Sequence, residues 1–266
     1  MSLLRTERLA VSLMPARVGV SAVPLLLGLP LRKAAPKRAR LEPATPDWRS
    51  AVESLAAWLE ERSPRGASAS VVLSNRFVRF ALVPWSDEAV RPAEQMALAA
   101  ACLEPRYGDM AGWTVRLDGG EYGRPRLACA VETALLEALR EVFAKAGVRG
   151  TAVRPAFVAA WNRYGGELPQ EADAAFVTLE SQTLVVGARR GGAWHSVRAI
   201  GVPDAAAVAG LLEREALLQG FGTAPPAWLV APGAASRELA AGTRLRVLDG
   251  REPDAALALA GWAGPR

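Results

Sequence analysis

The sequence predicts an α/β protein of two lobes, each built on a mixed β-sheet, and three observations support this fold class. Apolar runs rich in β-branched residues at 174–179, 183–188 and 194–200 are separated by short polar or glycine turns, which is typical of an antiparallel meander. A helical pattern follows the meander, and strands and helices then alternate to the end of the chain. The chain opens with the same order of strands and helix, which indicates a duplicated unit.

The opening copy of this unit is predicted in residues 9–62. Strands at 9–13 and 17–23 form a hairpin across Met14-Pro15-Ala16. Thr45 is the expected N-cap of the first helix, and Pro46 suits the first helical position. Apolar residues at helical spacing then form one stripe on this helix, namely Trp48, Val52, Leu55 and Leu59.

The middle of the chain adds further strands and three helices. Strands at 69–73 and 77–83 are expected to form a hairpin around Ser74-Asn75-Arg76. The elements expected after this hairpin are a helix over 87–103, strands at 113–117 and 126–131, a helix that contains Leu135, Leu139 and Phe143, a strand at 148–153, and a helix from Pro155 to about 162.

The second lobe is expected to continue this alternation after the meander. Asp204 caps the helix that follows the meander, and Gly220 and Gly222 end it. A strand at 227–230, a helix at 234–241, a strand at 245–248 and a helix at 253–262 complete the chain. We place one lobe at residues 1–165, with an inserted strand and helix subdomain at about 67–131, and the other at 166–266.

The composition is that of a soluble globular protein, with 51% hydrophobic and 22% charged residues among 266. The longest uncharged apolar run, 18–31, is interrupted by Pro24 and Pro30 and falls short of the roughly 20 residues that a membrane-spanning helix needs. Glu7 and Arg17 interrupt the pattern of a signal peptide. Two cysteines without a metal-binding or redox spacing are typical of small core residues. We therefore expect a cytoplasmic protein.

The net charge of +5 and the pI near 9.7 raise the question of an anionic partner. Most basic residues are scattered, but five cluster in a linker that contains Pro and Ala: Arg32, Lys33, Lys37, Arg38 and Arg40. This linker is either a solvated loop or a contact for anionic lipid headgroups or an acidic partner. No aromatic residues lie among these charges, so we expect no nucleic-acid binding.

Two segments carry a resemblance to a known family. Together with the order of elements, LSNRFVRFALVPW and TLVVGARRGGAWHSVRAIG resemble the actin-like ATPase superfamily. Within it, they resemble the branch of pilus and type II secretion assembly proteins that includes PilM, MshI and the cytoplasmic domain of GspL. The resemblance implies two ribonuclease-H-like (actin-like) lobes with mixed sheets flanking a nucleotide cleft. In that superfamily, two hairpin turns of the Asp-x-Gly type hold the phosphates and the metal ion.

Both matching turns have lost these residues here. The first turn has Ser12 where the Asp would be and Met14 where the Gly would be, and Pro15 lacks an amide hydrogen to donate to phosphate. The second has Thr178 for the Asp and Glu180 for the Gly. A carboxylate close to a triphosphate costs about 1 kcal/mol in water and several in a partly buried cleft. We expect neither a nucleotide cofactor nor a metal ion.

Other signals of catalysis are weak as well. Of the family's Gly-Gly adenosine loop only Gly233 is kept, and the chain contains no phosphate-binding loop, zinc-protease or serine-elbow motif. The lone histidine, His195, is either a general base or a strand residue on the solvated face, with Trp194 pointing to the other side. No matching nucleophile accompanies it, so we assign no catalytic residue.

The resemblance therefore implies a non-catalytic scaffold or adaptor on the cytoplasmic side of the inner membrane. Its expected partners are inner-membrane pilus or secretion assembly proteins and a motor ATPase. In this family a partner peptide packs on the first lobe, and Phe77, Phe80 and Trp85 match that region, although alternate members of such a strand also fill cores. The alternative is an actin-like or sugar-kinase-like ATPase with a rearranged site. It would use the acidic and glycine residues Asp109, Asp118, Gly119, Gly120 and Asp204.

Overall fold

The computed structural model describes residues 5–26, 29–30, 35–62, 64, 66–180, 182–204, 206–231, 245–249 and 254–263. The strands in chain order are β1 (Arg5–Met14), β2 (Arg17–Leu26), β3 (Leu29–Pro30), β4 (Lys37–Leu41), β5 (Ser68–Leu73), β6 (Val78–Val83), β7 (Trp113–Leu117), β8 (Arg126–Glu132), β9 (Arg149–Pro155), β10 (Ala174–Glu180), β11 (Thr183–Arg190), β12 (Ala193–Gly201), β13 (Ala227–Val230) and β14 (Leu245–Asp249). The helices are α1 (Trp48–Arg62), α2 (Pro92–Tyr107), α3 (Thr133–Lys145), α4 (Ala156–Tyr164), α5 (Ala207–Leu218) and α6 (Ala255–Ala263).

Two sheets repeat one topology, which confirms the duplicated unit. In the first sheet the order is β3-β2-β1-β5-β9, and β4 also pairs with β2. In the second sheet the order is β12-β11-β10-β13-β14. In each, the first strand is antiparallel to the second and parallel to the strand that follows the first helix of the repeat. The predicted α/β class with mixed sheets is therefore confirmed.

The chain forms two compact units that do not coincide with the expected division at residue 165. One comprises Met1–Phe77, Ala134–Ala159 and Glu252–Arg266, and the other comprises Val78–Thr133 and Ala160–Arg251. Helix α6 is apolar on nearly all sides and packs against β1, β2 and β5, so the end of the chain joins the first unit. The three-stranded sheet β6-β8-β7 groups with the second sheet.

The predicted hairpin around Ser74-Asn75-Arg76 is wrong, because β5 and β6 belong to different sheets. Ser74 and Asn75, which directly follow β5, are buried and form hydrogen bonds with other elements. The Ser74 amide donates to the Leu13 carbonyl at 2.8 Å, and Asn75 Oδ1 accepts from the Phe157 amide at 2.9 Å. Asn75 thus accepts from an amide in the first turn of α4, a tertiary role that a turn pattern does not reveal.

Helix boundaries also differ from the prediction where capping side chains decide them. Asp47, and not Thr45, caps α1, since its Oδ1 accepts from the Arg49 and Ser50 amides at 2.7 and 2.9 Å. Thr45 donates instead to the Asp47 carboxylate, which helps to lower the pKa of Asp47 below its usual value. Asp204 does bond to the start of α5, since its Oδ1 accepts from the Ala207 amide at 3.0 Å, but the N-cap position itself is Ala206.

The meander is closed by a glycine turn and a buried arginine. Gly191 and Gly192 have φ angles of 54° and 81°, the left-handed region that favours glycine, as the sequence predicts. A Cβ at Gly192 would lie 2.2 Å from the Gln170 carbonyl oxygen, so a side chain does not fit there. The Arg189 guanidinium is buried and donates to the carbonyls of Pro169, Gln170 and Gly192. Burial lowers the pKa of this guanidinium.

Strand and helix faces meet in separate cores. The largest described cluster in the second unit packs β10, β11 and β13 against α5 through Val177, Leu179, Leu184, Leu229 and Val208. A smaller core joins α2 to β6, β7 and β8 through Leu103, Ala99 and Val83. The helix predicted at 234–241 lies outside the described residues.

We expect the substitution Asn75→Ala to lower the free energy of unfolding by about 1–2 kcal/mol, because the buried Phe157 amide loses its acceptor. Urea denaturation followed by circular dichroism measures this difference. Asn162→Ala, on an exposed position of the same helix α4, is the matched control and should change stability by less than about 0.5 kcal/mol. Equal effects of the two substitutions would contradict the capping role.

Candidate functional site

Ser12, at the first position of the candidate phosphate turn, is completely buried and fully engaged. Its hydroxyl donates to the Ala256 carbonyl of α6 at 2.6 Å and accepts from the Gly19 amide at 3.2 Å. The α6 backbone lies so close to the hairpin that a Cβ on Gly19 would come within 2.4 Å of the same carbonyl oxygen. An Asp at position 12 would set a carboxylate against that oxygen.

The rest of the first turn is also unsuited to holding a phosphate. Met14 pairs with Arg17, so the turn consists of Pro15 and Ala16 only. The Met14 side chain is buried in the core, and Pro15 is buried and has no amide hydrogen to donate. A glycine-containing turn would present amides to an anion, and this turn has lost both the glycine and one donor.

The second candidate turn is equally filled. Thr178 and Glu180 are both buried, at registers opposite Val185 and Thr183 of the neighbouring strand. Both residues are engaged in interactions with other groups. A glycine at position 180 would expose backbone, whereas the structure places a buried carboxylate there. Gly233, the remaining member of the family's adenosine loop, lies outside the described residues.

His195 connects the meander to the end of α5. Its Nε2 lies 3.1 Å from the Gln219 carbonyl oxygen, and its ring meets Phe221 edge-on at 5.6 Å. Trp194 points elsewhere and packs on Trp161 at 4.6 Å, as the strand alternation predicts. His195 is half-buried, and the residues that contact it, Gln219 and Phe221, directly follow α5. The ring is engaged with backbone, and no nucleophile contacts it within the described residues.

The acidic residues considered for a rearranged site serve turns and caps. Asp109 accepts from the Ala111 amide, Asp204 bonds to the start of α5, and Asp118 lies 3.7 Å from the Arg126 guanidinium. Burial raises the pKa of the Asp118 carboxyl above its usual value. No group of three or more His, Cys, Asp or Glu residues that could hold a metal ion occurs in the described part of the chain.

The two cysteines are free thiols and poor nucleophiles. Cys102 lies on α2 and Cys129 on β8, and both are half-buried. Burial raises the pKa of Cys102, and it raises the pKa of Cys129 to about 11. Because the thiolate is the reactive form, both residues act as core side chains at neutral pH.

The predicted partner-binding aromatic residues separate into buried and accessible ones. Phe80 is 1% exposed and fills the core of its unit, so its assignment as a contact residue is corrected. Phe77 is half-buried in a 3-10 turn. Trp85 packs at 4.5 Å on Tyr122, which is 82% exposed, and both donate to the Asp87 carboxylate. We call Trp85 and Tyr122 the aromatic pair.

A shallow surface depression adjoins the aromatic pair. Its lining residues are Val83, Pro84, Leu98, Leu117, Gln95 and Arg126. Arg126 is held by Gln95 Oε1 at 3.0 Å and by the Asp118 carbonyl, so the polar edge of the depression is fixed. An apolar floor with a fixed polar edge is suited to a side chain of a partner protein.

The basic cluster is not a loop where the structure describes it. Lys37, Arg38 and Arg40 lie on β4, which pairs antiparallel with β2, and this corrects the predicted linker. Arg40 forms ion pairs with Glu42 at 2.6 Å and Asp254 at 3.3 Å, so its charge is partly used within the fold. Arg32 and Lys33 lie outside the described residues.

Comparison with solved structures identifies the architecture. The chain superposes on the cytoplasmic domain of EpsL, an inner-membrane component of the type II secretion system of Vibrio cholerae, with a TM-score of 0.57, 12% identity and coverage of 97% and 94% of the two chains. It superposes on the PilM-PilN type IV pilus biogenesis complex with a TM-score of 0.62, 15% identity and coverage of 98% and 99%.

A third match settles the fold. A Bacteroides thetaiotaomicron protein of unknown function, described as having an actin-like ATPase fold, matches with a TM-score of 0.63, 9% identity and coverage of 98% and 96%. The chain has an actin-like fold. No family model and no curated protein matches the sequence.

The actin-like fold places the filled turns at equivalent positions of its two repeated sheets. Ser12 lies on β1 and Thr178 on β10, and each strand pairs antiparallel with the next and parallel with the strand after the helix. Sequence reasoning found both turns but missed the contact between Ser12 and Ala256, which joins residues 244 positions apart. It also missed Tyr122, which follows a turn-rich segment and has no pattern of its own.

We expect Ser12→Ala to lower the free energy of unfolding by about 1–3 kcal/mol, because the Gly19 amide and Ala256 carbonyl lose their buried partner. Ser12→Asp should cost more, since its carboxylate would face the Ala256 oxygen. Thermal denaturation of the two variants measures the order. The same pair of substitutions at Ser86, in the loop after β6, is the control. A Ser12→Asp variant as stable as the parent would contradict the filled site.

Proposed function

We propose that this chain is a non-catalytic scaffold of a bacterial type IV pilus or type II secretion assembly platform, on the cytoplasmic side of the inner membrane. The observation that carries the proposal is the burial of Ser12 against the α6 backbone. Ser12 lies in one of the two turns that match the phosphate-binding turns of the resembled family by their position in the sequence. The resemblance to EpsL and to PilM over nearly the whole chain supports the assembly role.

The absence of catalysis is supported by what replaces the phosphate and metal ligands. A phosphate grip needs mobile or free amides and a carboxylate that can hold hydrated magnesium. Ser12 and Thr178 are buried and engaged, and Glu180 adds a buried negative charge next to the second position. A protein that keeps the fold and loses these groups retains its surfaces as the functional part.

The charge distribution supports a position near an anionic membrane surface. The first unit carries 17 basic and 10 acidic residues, a net charge of +7, whereas the second carries 15 and 17, a net charge of −2. The exposed Lys37 and Arg38 of β4 belong to the first unit. Anionic headgroups attract each basic side chain near their surface by about 1 kcal/mol. In this proposal β4 contacts the membrane surface peripherally. The aromatic pair then binds a protein partner, which is either an inner-membrane assembly protein or a motor ATPase.

We expect no binding of Mg-ATP when it is titrated into the folded protein by calorimetry at concentrations that detect a Kd of ~10 μM. The physical reason is the loss of free donors at both turns. An actin-like ATPase that keeps both Asp-x-Gly turns is the positive control under the same conditions. Saturable binding would overturn the non-catalytic scaffold and favour the ATPase with a rearranged site.

We also expect Trp85→Ala to weaken capture of an inner-membrane assembly protein from the same genome by about tenfold or more, as loss of a central aromatic anchor does. Co-purification after co-expression identifies the partner, and biolayer interferometry with the purified pair measures the affinity. Trp48→Ala, which removes a half-buried tryptophan of the first unit, is the control. Equal affinities of the parent and the Trp85→Ala variant for the partner would show that the aromatic pair is not part of the interface.

A further inference from the structure

Strand β9 is an open edge of the first sheet. It pairs with β5 on one side, and no strand pairs with its other side among the described residues. Most of its residues are exposed, including Val153 at 41%. Strand β6, where partner docking was expected from the sequence, lies instead beside β12 within its own unit. Among the described residues, β9 is therefore an exposed strand edge of the first sheet.

The backbone of β9 offers hydrogen-bonding groups to a further strand. The Arg149 amide donates to the Ala67 carbonyl at 2.9 Å, so Arg149 bonds inwards. Arg149 pairs with Ser68 of β5. A bulge in β9 follows, after which Ala152 pairs with Ser70, two residues further along β5. Because orientation alternates along a strand, Ala152 again bonds inwards and the amide and carbonyl of Val153 face outwards. Pro155 ends the strand without an amide hydrogen.

The side chains of β9 select the charge of a partner. Arg149 and Arg154 are both exposed and form no ion pair among the described residues, and β9 contains no acidic residue. Arginines and a bulge on an edge strand discourage pairing with an ordinary strand or with a second copy of the same edge. A partner strand that carries carboxylates is attracted by the two arginines instead of being repelled. It can form one charge-assisted hydrogen bond with each of them.

We propose that β9 is a docking edge for an extended acidic segment of a partner protein, which adds a strand to the first sheet. Such β-augmentation takes its affinity from main-chain hydrogen bonds and its selectivity from the side chains that flank them. The net charge of +7 on this unit attracts the acidic segment from a distance. The proposal rests on β9 alone and holds with either outcome of the Mg-ATP titration.

Fluorescence anisotropy with labelled heptapeptides tests the proposal on the full chain. The probe alternates glutamate with valine, and the comparison peptide has lysine in place of each glutamate. We expect saturable binding of the acidic peptide and at least about tenfold weaker binding of the lysine peptide. The double variant Arg149→Glu/Arg154→Glu should lose about tenfold in affinity for the acidic peptide, as expected for two exposed charge contacts that become repulsive. Arg17→Glu/Arg76→Glu, the same charge change at two exposed positions of the same unit, should retain it.

Hydrogen exchange on the unsubstituted protein locates the peptide without any variant. The Val153 amide should gain protection when the acidic peptide is added. Three results would overturn the proposal: no saturable binding, equal binding of the two peptides, or protection at another edge without a change at Val153. Concentration-dependent dimerisation that the Arg149→Glu/Arg154→Glu variant alters would also overturn it, because a second copy would then occupy the edge.

Discussion

The contact between Ser12 and Ala256 is the constraint on which the first unit depends, because it joins the first strand to the last helix across 244 residues. The hydroxyl satisfies a carbonyl of α6 and an amide of β2 together, and the bare Cα of Gly19 lets the α6 backbone approach. Helix α6 is apolar on nearly every side and has to be covered. Its packing on β1, β2 and β5 both closes the core and ties the chain end to its beginning.

The same contact fills a position that is expected to hold a carboxylate in the nucleotide-binding proteins that the sequence resembles. The position that would carry a magnesium-binding carboxylate is occupied by a small hydroxyl with two local partners. In the second unit, Thr178 and Glu180 are buried at the equivalent strand end. These residues contribute packing and hydrogen bonds, and accessible features of the described residues include the aromatic pair, the basic strand β4 and the open edge of β9. The proposed scaffold role would use surfaces of this kind.

Much of the fold could be predicted because its signals are local. Apolar runs rich in β-branched residues predict the meander, the Gly191-Gly192 turn has the left-handed backbone that favours glycine, and the Asp204 carboxylate accepts from the first amide of α5. The wrong hairpin at Ser74-Asn75-Arg76 involves a polar residue whose partner is distant in sequence. Asn75 was read as a turn residue, but it caps a helix 82 positions away. Of the candidate site, the two altered turns were predictable, whereas the burial of Phe80 and the exposure of Tyr122 were not.

The sequence by itself determined the α/β class, the repeat of strands and helix, and the loss of the Asp and Gly residues from both phosphate turns. These properties follow from residue identity and short-range periodicity. Only the tertiary structure decided that α6 returns to the first sheet, that Ser12 is engaged by its backbone, and that β9 and not β6 presents an open edge. These properties depend on which segments, distant in the sequence, pack against each other. Hydrophobic burial drives that packing, but it is non-directional, so the local sequence does not indicate which segments meet.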